Sequence, residues 1–161
     1  MLFRSTQNDE GGWRYQPRPA DADASVTAAM LIALRGLHNS GFAVSADAVD
    51  RAVAYLGTLQ NEDGGFRYLS LGGPSGPPRT AAALFALLAA RAAGPATDRG
   101  FAWLDDHPIV IGSTDGYAMY GLAHAAAAHW LRGTDSWETW HADAVGPLLD
   151  AQQAEIGRAH V

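Results

Sequence analysis

A nine-residue string occurs twice and fixes the organisation of this chain. Gln7-Asn8-Asp9-Glu10-Gly11-Gly12-Trp13-Arg14-Tyr15 returns as Gln60-Asn61-Glu62-Asp63-Gly64-Gly65-Phe66-Arg67-Tyr68, 53 residues later. The register holds beyond the string. Thr27-Ala28-Ala29 maps onto Thr80-Ala81-Ala82, Leu31 onto Leu84, and Ala33-Leu34 onto Ala86-Leu87, all 53 apart. Chance does not keep a constant offset over so many positions. A period of this length marks a repeat architecture, in which each unit buries its flanks on its neighbours.

Each unit reads as a pair of helices. Val26, Met30, Ala33, Leu34 and Leu37 follow the three-and-four spacing of one helix face over 25–39, and Gly41 is a stop signal. Ser45 is placed to cap a second helix carrying Ala48, Val49, Ala52, Val53, Leu56 and Leu59. The pattern predicts a further helix over 80–93, ended by Gly94-Pro95, and another capped by Thr97 with Phe101 and Leu104 facing inward. A third pair is predicted over 117–131 and 139–153. The second helices share their own register: Asp50-Arg51 matches Asp98-Arg99 and Tyr55-Leu56 matches Trp103-Leu104, 48 apart. Leu149 and Gln153 stand 93 after Leu56 and Gln60, so another loop is expected to follow. Ile109-Val110-Ile111 is β-branched but short and lies between Pro108 and Gly112, which predicts a loop. The fold class expected is all-α: three helical hairpins joined by Gly-rich loops.

Composition removes several function classes. At 161 residues, one domain is the natural size. With 48% hydrophobic and 17% charged residues, the chain is not of disordered type. A net charge of −6 argues against a nucleic-acid partner, whose phosphates call for a basic surface. No apolar run approaches the ~18 residues that span a bilayer. The lack of cysteine excludes disulfides, thiolate nucleophiles and cysteine-ligated zinc. His124 and His129 are five apart and do not share a helix face, so no metal site is expected, and no cofactor.

Both ends have the look of one inverted DNA element. Leu2-Phe3-Arg4-Ser5 can be encoded by CTC TTC CGA TCT, whose reverse complement in another frame encodes Ile156-Gly157-Arg158. This matches a common sequencing-library adaptor. Residues 1–5 and 156–161 are therefore expected to be adaptor-derived, leaving 6–154 as the repeat domain and the chain as a fragment.

The string Gln-x-x-x-Gly-Gly-Trp/Phe, seen at Gln7, Gly11, Gly12 and Trp13 and again at Gln60, Gly64, Gly65 and Phe66, resembles the QW-type repeat. That repeat belongs to squalene and oxidosqualene cyclases, protein prenyltransferase β subunits and related α/α-toroid proteins. With Ala24-Ser25-Val26-Thr27-Ala28 and Asp50-Arg51-Ala52-Val53-Ala54-Tyr55-Leu56, the chain is most similar to bacterial squalene-hopene cyclase-like repeat proteins. The resemblance covers Gln7 to Gln153. It implies a partial toroid whose remaining repeats lie in a parent protein. It also implies that Gln7, Gln60 and Gln153 cap adjacent helix ends, and that an isoprenoid is the hydrophobic ligand.

The resemblance also implies where an acid would stand. Cyclases of this kind protonate an alkene or epoxide with an acid in an Asp-x-Asp-Asp-Thr-Ala motif, inside a dry aromatic cavity. The nearest string here is Asp21-Ala22-Asp23-Ala24-Ser25-Val26, which lacks the third Asp. Asp23 would align with the proton donor and Asp21 with its neighbour. The plainer reading is that Asp23 caps the helix that follows. After Arg18-Pro19-Ala20 both carboxylates are expected to be partly solvated. Tyr117, Tyr120 and His124, at i, i+3, i+7, are candidates for a cavity wall or for packing between hairpins. Trp137 and Trp140, next to a Gly133-Thr134-Asp135-Ser136 turn, are expected to pack against the helix they introduce. Arg14 and Arg67 are expected to stack on neighbouring rings or to pair with Asp9, Glu10, Glu62 or Asp63.

Two functions fit these readings. One is a structural or hydrophobic-ligand-binding module that is catalytically incomplete. The other is part of a terpenoid (triterpene) cyclase. In either case an open row of hairpins exposes apolar end faces, so self-association is expected.

Overall fold

The computed structural model describes residues 6–17, 19–112 and 117–152; the termini expected to be adaptor-derived, Arg18 and Gln153 lie outside them. The described chain is all-helical. Six helices follow one another: α1 (Ala24–Asn39), α2 (Ala46–Thr58), α3 (Pro77–Ala89), α4 (Pro95–Asp106), α5 (Ala118–Arg132) and α6 (Thr134–Asp150). Outside them, the described residues form only isolated bridges, such as Asp23 with Leu69 and Gln60 with Phe66. None of the described helices is long and apolar enough to cross a membrane.

The helices form two layers. α1, α3 and α5 lie side by side, with α3 in the middle. α2, α4 and α6 each pack on the helix that precedes them. One core joins Leu31 and Leu34 of α1, Tyr55 and Leu56 of α2, and Ala82, Ala83, Ala86 and Leu87 of α3. A second joins Ala81 and Leu84 of α3, Phe101 and Leu104 of α4, and Ala125 and Ala128 of α5.

The helix ends follow local chemistry. Asp23 caps α1, accepting the Val26 N–H at 2.8 Å, and Ser45 caps α2, accepting that of Ala48. α3 starts at Pro77, three residues earlier than the periodicity predicts, because prolines suit a first turn whose N–H groups have no helical partner. Thr97 is not the cap residue of α4. It sits in the first turn and its hydroxyl accepts the Gly94 N–H at 3.0 Å. α6 starts at Thr134, so the segment expected as a turn is helix, entered through Gly133 at φ 131°.

The two diglycine loops repeat in three dimensions. Asn8 N–H donates to Gly12 O at 3.0 Å, and Asn61 N–H to Gly65 O at 2.9 Å. Gly11 and Gly64 have φ of 97° and 96°, a region that favours glycine. The second glycines answer close approach: a Cβ on Gly12 would lie 2.9 Å from the Tyr55 ring, and one on Gly65 2.7 Å from the Trp103 ring. Tyr55 and Trp103 are the pair matched at 48, so the second glycine of each loop meets the same position of the second helix in both units.

The third unit is built differently. The segment before α5 has no Gln-x-x-x-Gly-Gly string, and Ala144 stands where Arg51 and Arg99 stand in the earlier second helices, 93 and 45 residues back. α6 packs on α5 yet has no fully buried residue.

Candidate functional site

The glutamines tie each loop to a second helix. Gln7 Nε2 donates to Gly11 O at 2.6 Å and to Ala48 O at 3.0 Å. Gln60 Nε2 donates to Gly64 O and Ala96 O, both at 2.8 Å. Ala48 and Ala96 lie in the first turns of α2 and α4, so each side chain closes its own loop and pins it to a helix start. Arg99 Nη2 completes the second copy by donating to Gln60 Oε1 at 2.6 Å. Arg51 instead donates to Asn8 O at 2.6 Å, and Gln7 Oε1 is buried without a hydrogen bond. Trp13 and Phe66 are buried, with their N–H groups on Thr27 and Thr80 Oγ1 at 3.0 and 2.9 Å. Gln7, Gly11, Gly12, Trp13, Gln60, Gly64, Gly65 and Phe66 are all engaged in joining loops to helices.

Carboxylates and tyrosines gather at the start of α1. Asp23 is 0% exposed, which corrects the expected partial solvation; the covering layer comes from the second loop, whose Tyr68 O accepts the Ala24 N–H at 3.0 Å. Asp23 Oδ1 is the cap acceptor. Its Oδ2 has no hydrogen bond and lies 4.0 Å from Arg14 Nε. Asp21 is half-exposed and paired with Arg14, so Arg14 does not use Asp9 or Glu10. Arg67 likewise avoids the nearby acids and donates to Asn61 Oδ1 at 2.9 Å and to Thr58 O at 2.5 Å.

Three phenols face this cluster. Tyr55 Oη donates to Ala22 O at 2.5 Å. Burial pushes the Tyr55, Tyr68 and Tyr120 hydroxyls up from their ordinary range, and the Asp23 charge pushes each further in the same direction. All three are therefore neutral phenols, and Tyr55 directs its proton to Ala22 O rather than to the carboxylate. Tyr120 Oη is buried without a hydrogen bond.

The candidate wall residues separate. Tyr117 is 66% exposed at the start of α5. Tyr120 and His124 pack on each other with ring centroids 4.1 Å apart, and His124 meets the Phe85 ring at 6.0 Å. Neither Tyr117, Tyr120 nor His124 lines the cleft of about 970 Å³ between the 108–111 loop, α5 and α6. That cleft carries Ile109, Leu122, His129, Arg132 and Trp140. His129 Nδ1 lies 2.8 Å from Ser136 Oγ, and its ring stacks on Trp140 at 5.6 Å. Burial, helped by the Arg132 charge, lowers the His129 pKa to about 4. Arg132 lies over the Phe101 ring at 4.2 Å. Burial also raises the Asp105 pKa. Trp137 packs on Trp130 of α5 at 5.6 Å and on Trp140 and His141 of its own helix at 5.7 and 5.2 Å. The sequence carries no sign of this cleft, because it is formed by where α6 settles. Among the described residues no group of three His, Asp or Glu side chains could hold a metal ion.

No protein-family model matches the chain, and no curated protein matches it.

Proposed function

We propose that the chain is part of an α/α-toroid repeat protein of the squalene cyclase and prenyltransferase kind. In this reading it serves as a structural or hydrophobic-ligand-binding module and is catalytically incomplete. The observation that carries the reading is the duplicated joint. Gln7 and Gln60 reach the first turns of α2 and α4 in the same way, and Trp13 and Phe66 donate to Thr27 and Thr80 in the same way. A motif whose polar groups are spent on holding helices together supports an architectural role. The ligand class is a hydrophobic chain such as an isoprenoid. The test is to titrate the chain with farnesol and squalene while following tryptophan fluorescence, and to analyse the mixture for cyclised product. Saturable quenching with no cyclised product is expected. An unchanged spectrum removes the ligand-binding part of the reading.

A second reading, part of a triterpene cyclase with Asp23 as the acid, draws support from one observation. Asp23 is fully buried and leaves one carboxyl oxygen without a hydrogen bond. Against it stands the use of the other oxygen as a helix cap. Cyclised product that vanishes in Asp23→Asn would favour this reading over the first.

A further inference from the structure

The third unit leaves open a space that the second unit fills. In the second unit the Phe66 ring lies where α3 and α4 meet. A Cβ on Gly100 would stand 2.8 Å from Leu84 and 3.3 Å from Phe66, and Phe66 is 0% exposed. The loops that open the first two units pin themselves to α2 and α4, the second helices of those same units. The counterpart in the third unit is the 107–117 segment, which has no Gln-x-x-x-Gly-Gly string and no Phe, Trp or Tyr before Tyr117. There the cleft of about 970 Å³ opens among the end of α4, the 108–111 loop, α5 and α6. Its volume falls in the range of roughly 300–1,000 Å³ that small-ligand sites occupy.

The lining has a definite chemistry. Ile109 and Leu122 make an apolar wall, and the Trp140 indole adds an aromatic one. The charged groups are the carboxylates of Asp105, Asp143 and Asp150 against the single guanidinium of Arg132. Arg132 is already seated over the Phe101 ring. Burial raises the Asp105 pKa, and the Arg132 charge offsets this only in part, so this carboxylate is short of counter-charge. Trp140, Asp143 and Asp150 share one side of α6, at i, i+3 and i+10. His129, 4% exposed, borders the cleft as a neutral imidazole with Nδ1 on Ser136 Oγ, so it adds no second cation. An apolar acid would meet three like charges here. An apolar cation meets both the carboxylates and an indole, which attracts positive charge.

We propose that this cleft binds a hydrophobic ammonium ligand, its apolar body against Ile109 and Leu122 and its cationic head at the Trp140, Asp143 and Asp150 side of α6. The inference rests on the third unit alone and not on the isoprenoid reading, whose ligand carries no charge.

The test is to titrate the chain with hexyltrimethylammonium, hexanol and hexanoate while heteronuclear NMR follows the Trp140 indole N–H and the amides of Ile109 and Leu122. The ammonium is expected to shift these signals saturably, with hexanol at least about threefold weaker and hexanoate weaker still. Asp143→Asn combined with Asp150→Asn should weaken the ammonium by about three- to tenfold. Both sites are exposed, so the fold should be retained. Trp140→Leu should weaken it by about fivefold, and Asp50→Asn on α2, remote from the cleft, should leave it unchanged. Hexanol or hexanoate binding as tightly as the ammonium overturns the proposal. So do shifts confined to other residues, no shift at all, or a double Asn variant that binds the ammonium like wild type.

Discussion

The hydroxyl of Thr80 accepts the backbone N–H of Phe66 at 2.9 Å, inside the protein and 14 residues along the chain. Thr27 does the same for Trp13 at 3.0 Å. Both threonines are fully buried, so each N–H has no water to turn to. Thr80→Val keeps the shape and removes the acceptor. It should cost about 1–3 kcal/mol, the penalty of an orphaned buried donor. Urea unfolding followed by circular dichroism should show a lower midpoint, while Thr80→Ser should recover much of the loss. A Thr80→Val midpoint equal to wild type would mean the loop is held by other contacts.

Gly64 combines φ 96° with a Cβ position only 2.8 Å from Arg99 O. Gly64→Ala is therefore expected to destabilise by more than about 1 kcal/mol. Gly57, near the end of α2, has nothing within 4 Å of its Cβ position. Gly57→Ala should stabilise by about 0.5–1 kcal/mol through helix propensity. Thermal melts of the two variants should move in opposite directions, and shifts of the same sign would contradict the loop geometry.

His129 is neutral in the fold, with a pKa lowered to about 4 from an ordinary 6.5. The unfolded chain binds this proton more tightly than the native one. The stabilisation is therefore complete above pH 6.5 and is lost as pH falls from there through 4. The full loss is about 3 kcal/mol. Denaturant midpoints measured across that window should fall more steeply for wild type than for His129→Phe. Parallel curves would place His129 in water.

Asp23 supplies the cap of α1 through Oδ1. Asp23→Asn keeps an acceptor there and should be better tolerated than Asp23→Ala, which loses about 1 kcal/mol of capping. Amide exchange at Val26 reads this directly. Protection that survives in Asp23→Ala would deny the cap.

Much of the scaffold was legible from the chain alone. Hydrophobic spacing located the six helices of the described residues, and Ser45 and Asp23 were recognisable as caps because capping is a local interaction. Misjudged ends fell where a local cue was read in the wrong register. Pro77 opens α3 although the apolar pattern begins at Thr80, and Thr134 opens α6 although a turn was expected there. The candidate site was legible in residue type but not in environment. Asp23 was named and its solvation misjudged, because the covering segment around Tyr68 and Leu69 lies more than 40 residues away.

The sequence by itself determined the repeat and the helical class, since period and hydrophobic spacing are properties of neighbouring residues. Tertiary structure alone decided that Asp23 is buried, that Arg14 chooses Asp21, that Tyr117 faces water, and that His129 and Trp140 border a cleft. Burial and partner choice depend on which distant segments arrive beside a side chain. That is set by how α1, α3 and α5 align and how loosely α6 joins them, and no local pattern encodes it.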